Sequence, residues 1–198
     1  MAKLYFKYGV MGSSKTAQAL MCRYNYIQQG FNVLLLKPAI DNRFENGSPK
    51  VVSRIGLEAE CVKFGRDEDL ILLLDREDQK RKVDVVIVDE CQFATKKQIE
   101  QLKDIAYGCS IPVLCYGLLT NFRTELFEGS KRLMELADSV SEIKSVCKCG
   151  EKATVNARLL DGHVTIDGPE VQLGAEETYQ SMCYGCFKKN LDGNETCL

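Results

Sequence analysis

Leu4-Tyr5-Phe6-Lys7-Tyr8 followed by Gly9-Val10-Met11-Gly12-Ser13-Ser14-Lys15-Thr16 decides how the rest of the chain is read. The first five residues have the composition of a short buried strand. From Ala17 the pattern turns helical, with Ala19, Leu20, Cys22 and Tyr26 apolar. Strand, glycine loop, Lys-Thr and helix is the layout of a phosphate-binding P-loop. Backbone N–H groups of such a loop, together with the helix N-terminus, offer positive partial charge to a polyphosphate. Lys15 is expected to reach the β- and γ-phosphates, and the Thr16 hydroxyl to face magnesium. The pattern asks for Gly where Ser14 stands. A left-handed backbone there costs a side chain roughly 1–2 kcal/mol, whereas an α-like one tolerates Ser. The competing reading is a helix capped by Ser13 or Ser14 after a glycine turn.

Asp84-Val85-Val86-Ile87-Val88-Asp89 is the second landmark, an apolar strand ending in acid. Behind a P-loop, Asp89 is expected beside Thr16 on the magnesium side; by itself it would read as a helix cap. Glu90 fits three roles: activating water in an ATPase, taking a proton from a substrate hydroxyl in a kinase, or lying on the surface.

Further strands are expected at 31–37, 51–55, 59–64, 111–116 and 139–146, with Pro38 breaking the first. Helices are expected at 67–80, capped by Asp67 and burying Leu70, Ile71 and Leu74, then at 95–107 and 130–137. Strands alternating with helices imply an α/β fold: a P-loop, RecA-like, mostly parallel sheet with helices on both faces. Ligands on such sheets bind beyond the carboxyl ends of the strands. The glycine loop, the Asp41 loop, Asp89-Glu90 and the loop from Gly117 all follow strand ends.

The 198 residues carry 26 basic and 28 acidic side chains, a net charge of −2, which gives no basic field for nucleic acid. No apolar run reaches the 18 residues a membrane span needs, and the first residues do not read as a signal peptide. A reduced, cytoplasmic setting suits the ten cysteines. Six of them (Cys22, Cys61, Cys91, Cys109, Cys115, Cys197) are scattered, and most read as buried thiols. Cys147, Cys149, Cys183 and Cys186 form a C-x-C and a C-x-x-C pair suited to tetrahedral zinc; free thiols or a redox pair are the alternatives. His163, the one histidine, reads as a surface residue. The texture changes near Cys147. It divides the chain into a nucleotide-binding core at 1–143, a metal-binding segment at 144–190 and a tail at 191–198. Phe93, Phe122, Phe127 and Tyr179 sit in otherwise polar loops, placed either to stack on a base or to pack the loops.

Taken together, G-V-M-G-S-S-K-T, K-P-A-I-D-N-R-F (37–44), V-I-V-D-E-C-Q-F (86–93), Y-G-L-L-T-N-F-R (116–123) and the late cysteine pairs resemble the type II thymidine kinases. The resemblance runs from Lys3 to about Lys188, in the family's order and spacing. It implies transfer of the ATP γ-phosphoryl to the 5′-hydroxyl of thymidine with magnesium, with Glu90 as the base. Gly9, Val10, Met11, Gly12, Ser13, Ser14, Lys15, Thr16, Asp89 and Gln92 fall on the ATP side. Thr16 and Asp89 match the magnesium side, and Asp41 and Arg43 a pair near the transferred phosphate. Met11, Leu118, Gln92, Phe93, Phe122, Phe127 and Tyr179 match the nucleoside pocket. Gln172, Leu173 and Gly174 match a lasso whose backbone reads the base and whose root is pinned by structural zinc on the four cysteines. The resemblance also implies a homotetramer and inhibition by dTTP. Deoxyuridine is expected as a further substrate, because a backbone-read pyrimidine edge discriminates little at the 5-position.

Ser14, the C-x-C spacing, and Leu119 and Asn121 at positions often acidic depart from the family pattern. Two other readings compete: a RecA-like ATPase with a zinc ribbon, and an inactive nucleotide-binding protein that senses dTTP. The near-neutral charge argues against the first, and Lys15, Thr16, Asp89 and Glu90 together against the second.

Overall fold

The computed structural model describes residues 2–41, 48–169 and 178–193. Arg43, Cys197, Gln172, Leu173 and Gly174 therefore lie outside the described residues, as does most of the expected tail. Six parallel strands form the main sheet in the order β5-β2-β6-β7-β1-β8. They are β1 (Leu4–Tyr8), β2 (Val33–Pro38), β5 (Val62–Phe64), β6 (Val85–Val88), β7 (Val113–Gly117) and β8 (Ser139–Glu142). Helices α1 (Lys15–Gln28), α2 (Leu70–Lys80), α3 (Lys96–Gly108) and α4 (Glu128–Leu136) make the connections.

The near-continuous apolar runs are what burial on both sheet faces demands. Successive strand residues point to opposite faces. Leu4, Phe6, Leu34, Leu36, Val86 and Val88 meet Leu73, Ile99, Leu102 and Leu133 of α2, α3 and α4. Leu35, Val85, Ile87, Leu114 and Tyr116 meet Ala19 and Leu20 of α1 on the other side. The hairpin β3 (Lys50–Val52) and β4 (Glu58–Glu60) lies on that second side through Val51 and Ala59. A separate antiparallel sheet, β10-β9-β11, comprises β9 (Val155–Leu160), β10 (His163–Thr165) and β11 (Tyr179–Met182). With α5 (Tyr184–Leu191) it encloses a core of its own.

Several expected boundaries move, each for a local reason. Pro38 is the last residue of β2 rather than its breaker, because the neighbouring Ala39 N–H supplies the bond to Phe64 O at 2.8 Å. The run 59–64 splits at Cys61, whose N–H turns to Pro49 O at 3.0 Å; β4 joins the hairpin and β5 the main sheet. The strand expected over 51–55 stops at Val52, where Ser53 and Leu57 close a turn. Asp69, not Asp67, caps α2, accepting from the N–H groups of Ile71 at 3.0 Å and Leu72 at 3.1 Å. That start buries Leu70, Leu73 and Leu74 and leaves Ile71 only half-buried. Strand β8 ends at Glu142, four residues early, and α4 begins at Glu128, ahead of Ser130.

The start of α3 agrees with its reading. Thr95 and Gln98 form a reciprocal capping box, and Ile99, Leu102, Ile105 and Ala106 are buried. Among the scattered thiols, Cys91 and Cys115 are buried, Cys22 and Cys61 half-buried, and Cys109 exposed at the end of α3. His163 is exposed on β10. Among the described residues no helix is long and apolar enough to cross a membrane.

Candidate active site

The carboxyl end of β1 runs directly into the glycine loop and then α1, so the loop sits at the rim of the sheet. Gly9 is held against the neighbouring strand end by its N–H to Gly117 O at 3.3 Å. A Cβ at Gly9 would lie 2.5 Å from Ser13 Oγ and 2.6 Å from Ile143 O, so this position admits only glycine. Ser14 answers the question its sequence left open: φ is 63° and ψ 25°, the left-handed region. It is the N-cap of α1, yet its side chain makes no capping bond. The loop therefore takes the conformation that prefers Gly and carries strain of roughly 1 kcal/mol or more. Ser14→Gly is expected to leave phosphate binding intact and raise the unfolding midpoint by about 1–4 °C, read by calorimetry. A fall in phosphate binding would show that the Ser14 hydroxyl has a binding role, and a fall in the midpoint that it has a structural one.

Lys15 is buried and its Nζ donates to Val10 O at 2.7 Å, across the loop's own curve. Burial pushes its pKa below the usual value, against the opposing pull of Glu90 and Asp89. A polyphosphate in the loop would restore the charge. Thr16 Oγ1 donates to Asp89 Oδ2 at 3.0 Å. Burial first, then the Glu90 charge, raises the Asp89 pKa to about 7. A divalent cation favours oxygen ligands, and this hydroxyl–carboxylate pair at the loop is the set it would meet.

Glu90 follows with φ 51° and ψ 36°, a left-handed conformation uncommon for a residue with a side chain. The backbone turns there into a short 3-10 segment, Cys91–Phe93, which swings Gln92 inward. Gln92 is buried, donates Nε2 to Glu90 Oε2 at 2.6 Å and accepts the Leu118 N–H on Oε1 at 3.0 Å. Gly117 makes room for this amide, since a Cβ there would stand 2.6 Å from Gln92 Oε1. Gln92 thus ties the carboxylate after β6 to the loop after β7. Asp41, at the end of the turn after β2, is buried with its carboxylate 3.8 Å from Lys37 Nζ.

The aromatic residues form two groups. Phe93 and Phe127 meet edge to face, 5.8 Å between centroids. Phe122 is buried, with the Arg158 guanidinium 3.7 Å from its ring centre and that of Arg123 4.9 Å away. Arg158 Nε also donates to Tyr179 Oη at 3.0 Å. Its remaining nitrogens donate to Asp167 O at 3.4 Å and Pro169 O at 2.8 Å. Arg123 donates to Ile166 O at 3.0 Å and to Gly168 O. Asn121 organises the turn that presents Phe122: its Oδ1 accepts the N–H groups of Arg123 at 2.9 Å and Glu125 at 3.0 Å. A carboxylate would accept the same two donors, which explains how Asn serves where acids are frequent.

The four cysteines expected to bind metal come together, their sulfurs all within 4.8 Å of one another. Cys149 and Cys183 stand 3.7 Å apart. Two thiolates on a tetrahedral zinc with bonds of about 2.3 Å are separated by about 3.8 Å, so the spacing fits. The short C-x-C does not spoil the geometry. Gly150, at φ 90°, closes a turn whose N–H donates to Cys147 O at 2.9 Å, bringing Cys149 round to Cys147. Burial opposes a thiolate at Cys147, but N–H groups of Cys149 and Cys183 and the adjoining thiols bring its pKa down to about 7.

The structure thus gathers the loop 9–16, Asp89, Glu90, Gln92 and Leu118 at one rim, with Phe93 and Phe127 packed together and Phe122 and Tyr179 joined through Arg158. Arg158, Asn156, Ser181 and Arg54 did not stand out in the sequence. Arg54 Nη1 lies 3.7 Å from where a Cβ on Gly12 would be. Each is an isolated polar residue whose partners are distant in sequence, and no local pattern marks it.

A parallel sheet whose first strand feeds a glycine loop and helix, backed by a Thr–Asp pair, defines a P-loop protein of RecA-like architecture. Its relatives narrow this class. The family model described as thymidine kinase matches residues 2–187, and the chain belongs to that family. A thymidine kinase of Rhodopirellula baltica is 46% identical over 96% of this chain and 89% of its own length. One from Pasteurella multocida is 43% identical over 96% and 99%. A third, from Xanthomonas axonopodis, is 44% identical over 98% and 92%.

Proposed function

We infer that the chain transfers the γ-phosphoryl group of ATP to the 5′-hydroxyl of thymidine, giving dTMP and ADP. The observation that carries this is the joining of Lys15, the Thr16–Asp89 pair and Glu90 at one sheet rim, in a chain that matches the thymidine kinase family along almost its whole length.

Residues 9–16 and Asp89 face the triphosphate, and Lys15 supplies its charge on the β- and γ-phosphates. Thr16 and Asp89 are the residues that would hold magnesium, which when bound neutralises charge on the phosphate oxygens. Glu90 accepts the proton of the 5′-hydroxyl as that oxygen bonds to the γ-phosphorus and the bond to the β-phosphate oxygen breaks. Phosphoryl transfer asks little covalent chemistry of the protein, so alignment matters most. The Gln92 amide, held by Leu118, aligns the Glu90 carboxylate. Asp41 and Arg43 lie on the phosphate side of this reading.

The nucleoside lies beyond Glu90 against Met11, Leu118, Phe93, Phe127, Phe122 and Tyr179, with its base edge read by the backbone of 172–174. Cys147, Cys149, Cys183 and Cys186 hold a structural zinc ion at the root of a lasso domain, residues 144–190; the fit of the sulfur spacing supports this. The core then spans 1–143 and a short tail 191–198. A cytoplasmic homotetramer restrained by dTTP completes the reading, with no membrane or nucleic-acid partner.

The test is incubation with γ-labelled ATP, magnesium and a panel of nucleosides, with zinc measured on the same sample. Labelled monophosphate is expected from thymidine and deoxyuridine and not from purine nucleosides. ATP hydrolysis stimulated by DNA, with no nucleotide product, would instead favour the ATPase reading.

A further inference from the structure

The phosphate loop is not held by the main sheet alone. Val10 is buried in the small core formed by Cys147, Val155, Ala157, Met182 and Cys186, not in either core of the main sheet. The next residue is gripped at both ends of its backbone. Met11 N–H donates to Asn156 Oδ1 at 2.7 Å, and Met11 C=O accepts from the Ser181 hydroxyl. Asn156 and Ser181 stand directly opposite each other on β9 and β11, so one cross-strand pair forms the clamp. Asn156 is itself buried and anchored, its Nδ2 donating to Thr120 O at 3.0 Å.

This stretch of loop also sets the lysine. Val10 O accepts both Lys15 Nζ at 2.7 Å and Ser13 N–H at 3.2 Å, closing the curve on itself. Two left-handed residues, Gly12 at φ 73° and Ser14 at φ 63°, shape that curve. Gly would hold the second without penalty, but Ser does not. A loop carrying that strain keeps its shape only when its surroundings over-determine it. Val10 burial and the two bonds to Met11 are such a restraint; the bonds come from the small sheet and the burial from the core it shares with α5 and Cys147.

We propose that Asn156 and Ser181 are positioning residues for ATP: through the Met11 backbone, the small cysteine-bearing sheet holds the phosphate loop in its triphosphate-binding shape. The segment that carries the nucleoside side of the site is thereby also a part of the ATP side. The inference rests on ATP being the phosphoryl donor.

Ser181→Ala is the direct test, because Ser181 is half-buried and its loss removes one hydroxyl. Calorimetric titration is made separately with ATP and with thymidine. Loss of one such bond corresponds to an affinity change of about three- to tenfold. The ATP dissociation constant is expected to rise by that factor; because Met11 also borders the nucleoside, the thymidine constant is expected to rise too, but by clearly less. Ser181→Thr, which keeps the hydroxyl, restores ATP binding. Asn156→Ala, if it folds, shows the same split more strongly. An unchanged ATP constant in Ser181→Ala, or equal weakening of both ligands, overturns the clamp. Wild-type protein that fails to bind ATP at all would overturn the functional reading instead, so the two failures are distinct.

Discussion

Glu90→Gln is expected to lower the turnover of thymidine phosphorylation by about 10²–10⁴-fold, the range for removing a general base. Thymidine binding is expected to stay within a few-fold of wild type. The separation follows from the local geometry. Gln92 Nε2 donates to Glu90 Oε2 at 2.6 Å, and a glutamine oxygen at residue 90 accepts the same bond. The left-handed backbone at φ 51° is set by the turn after β6 and survives the substitution. The variant therefore keeps shape and loses the ability to take a proton. Single-turnover assays with labelled ATP measure the rate, and calorimetry with thymidine measures binding. Near-wild-type turnover would remove Glu90 from the chemistry.

The second large effect is expected at Arg158. Arg158 is 4% exposed, and its guanidinium stacks on Phe122 and donates to Tyr179 Oη, Asp167 O and Pro169 O. It thus joins the described residues before and after 170–177 to the aromatic wall of the site. Hydrogen bonds to charged groups contribute about 1.5–3 kcal/mol each. Removing this cation leaves several acceptors unpaired around a cavity. Arg158→Ala is expected to raise KM for thymidine by about 100-fold or more, equivalent to at least two such factors of ten. KM for ATP is expected to change by less than about threefold, because no contact of Arg158 reaches residues 9–16 among its described partners. Steady-state kinetics with each substrate varied in turn measures both. Equal losses in the two constants would show that Arg158 supports the fold as a whole and not the nucleoside side.

These residues differ sharply in how legible they were. Leu4–Tyr8, Val85–Val88 and the loop 9–16 were plain, because burial on both faces forces unbroken apolar runs and a phosphate nest forces a compact local string. The Thr95–Gln98 capping box was local too, and α3 begins at the expected place. The start of α2 is not legible in the sequence, because Asp67 and Asp69 are equally good caps by composition. Only the packing of Leu73 in place of Ile71 chose between them. The split of 59–64 is not legible either, because a strand run does not say which sheet each half will join.

What residue order alone determined here is the sheet type, the phosphate loop, the acid pair Asp89-Glu90 and the two cysteine pairs, since each is written in contiguous or closely spaced residues. Folding decided the rest. It chose the left-handed state of Ser14, brought Asn156 and Ser181 onto Met11, and laid Arg158 across Phe122. Those contacts join residues from 36 to 170 positions apart. Their energy depends on two surfaces meeting in space, and no window along the chain contains both.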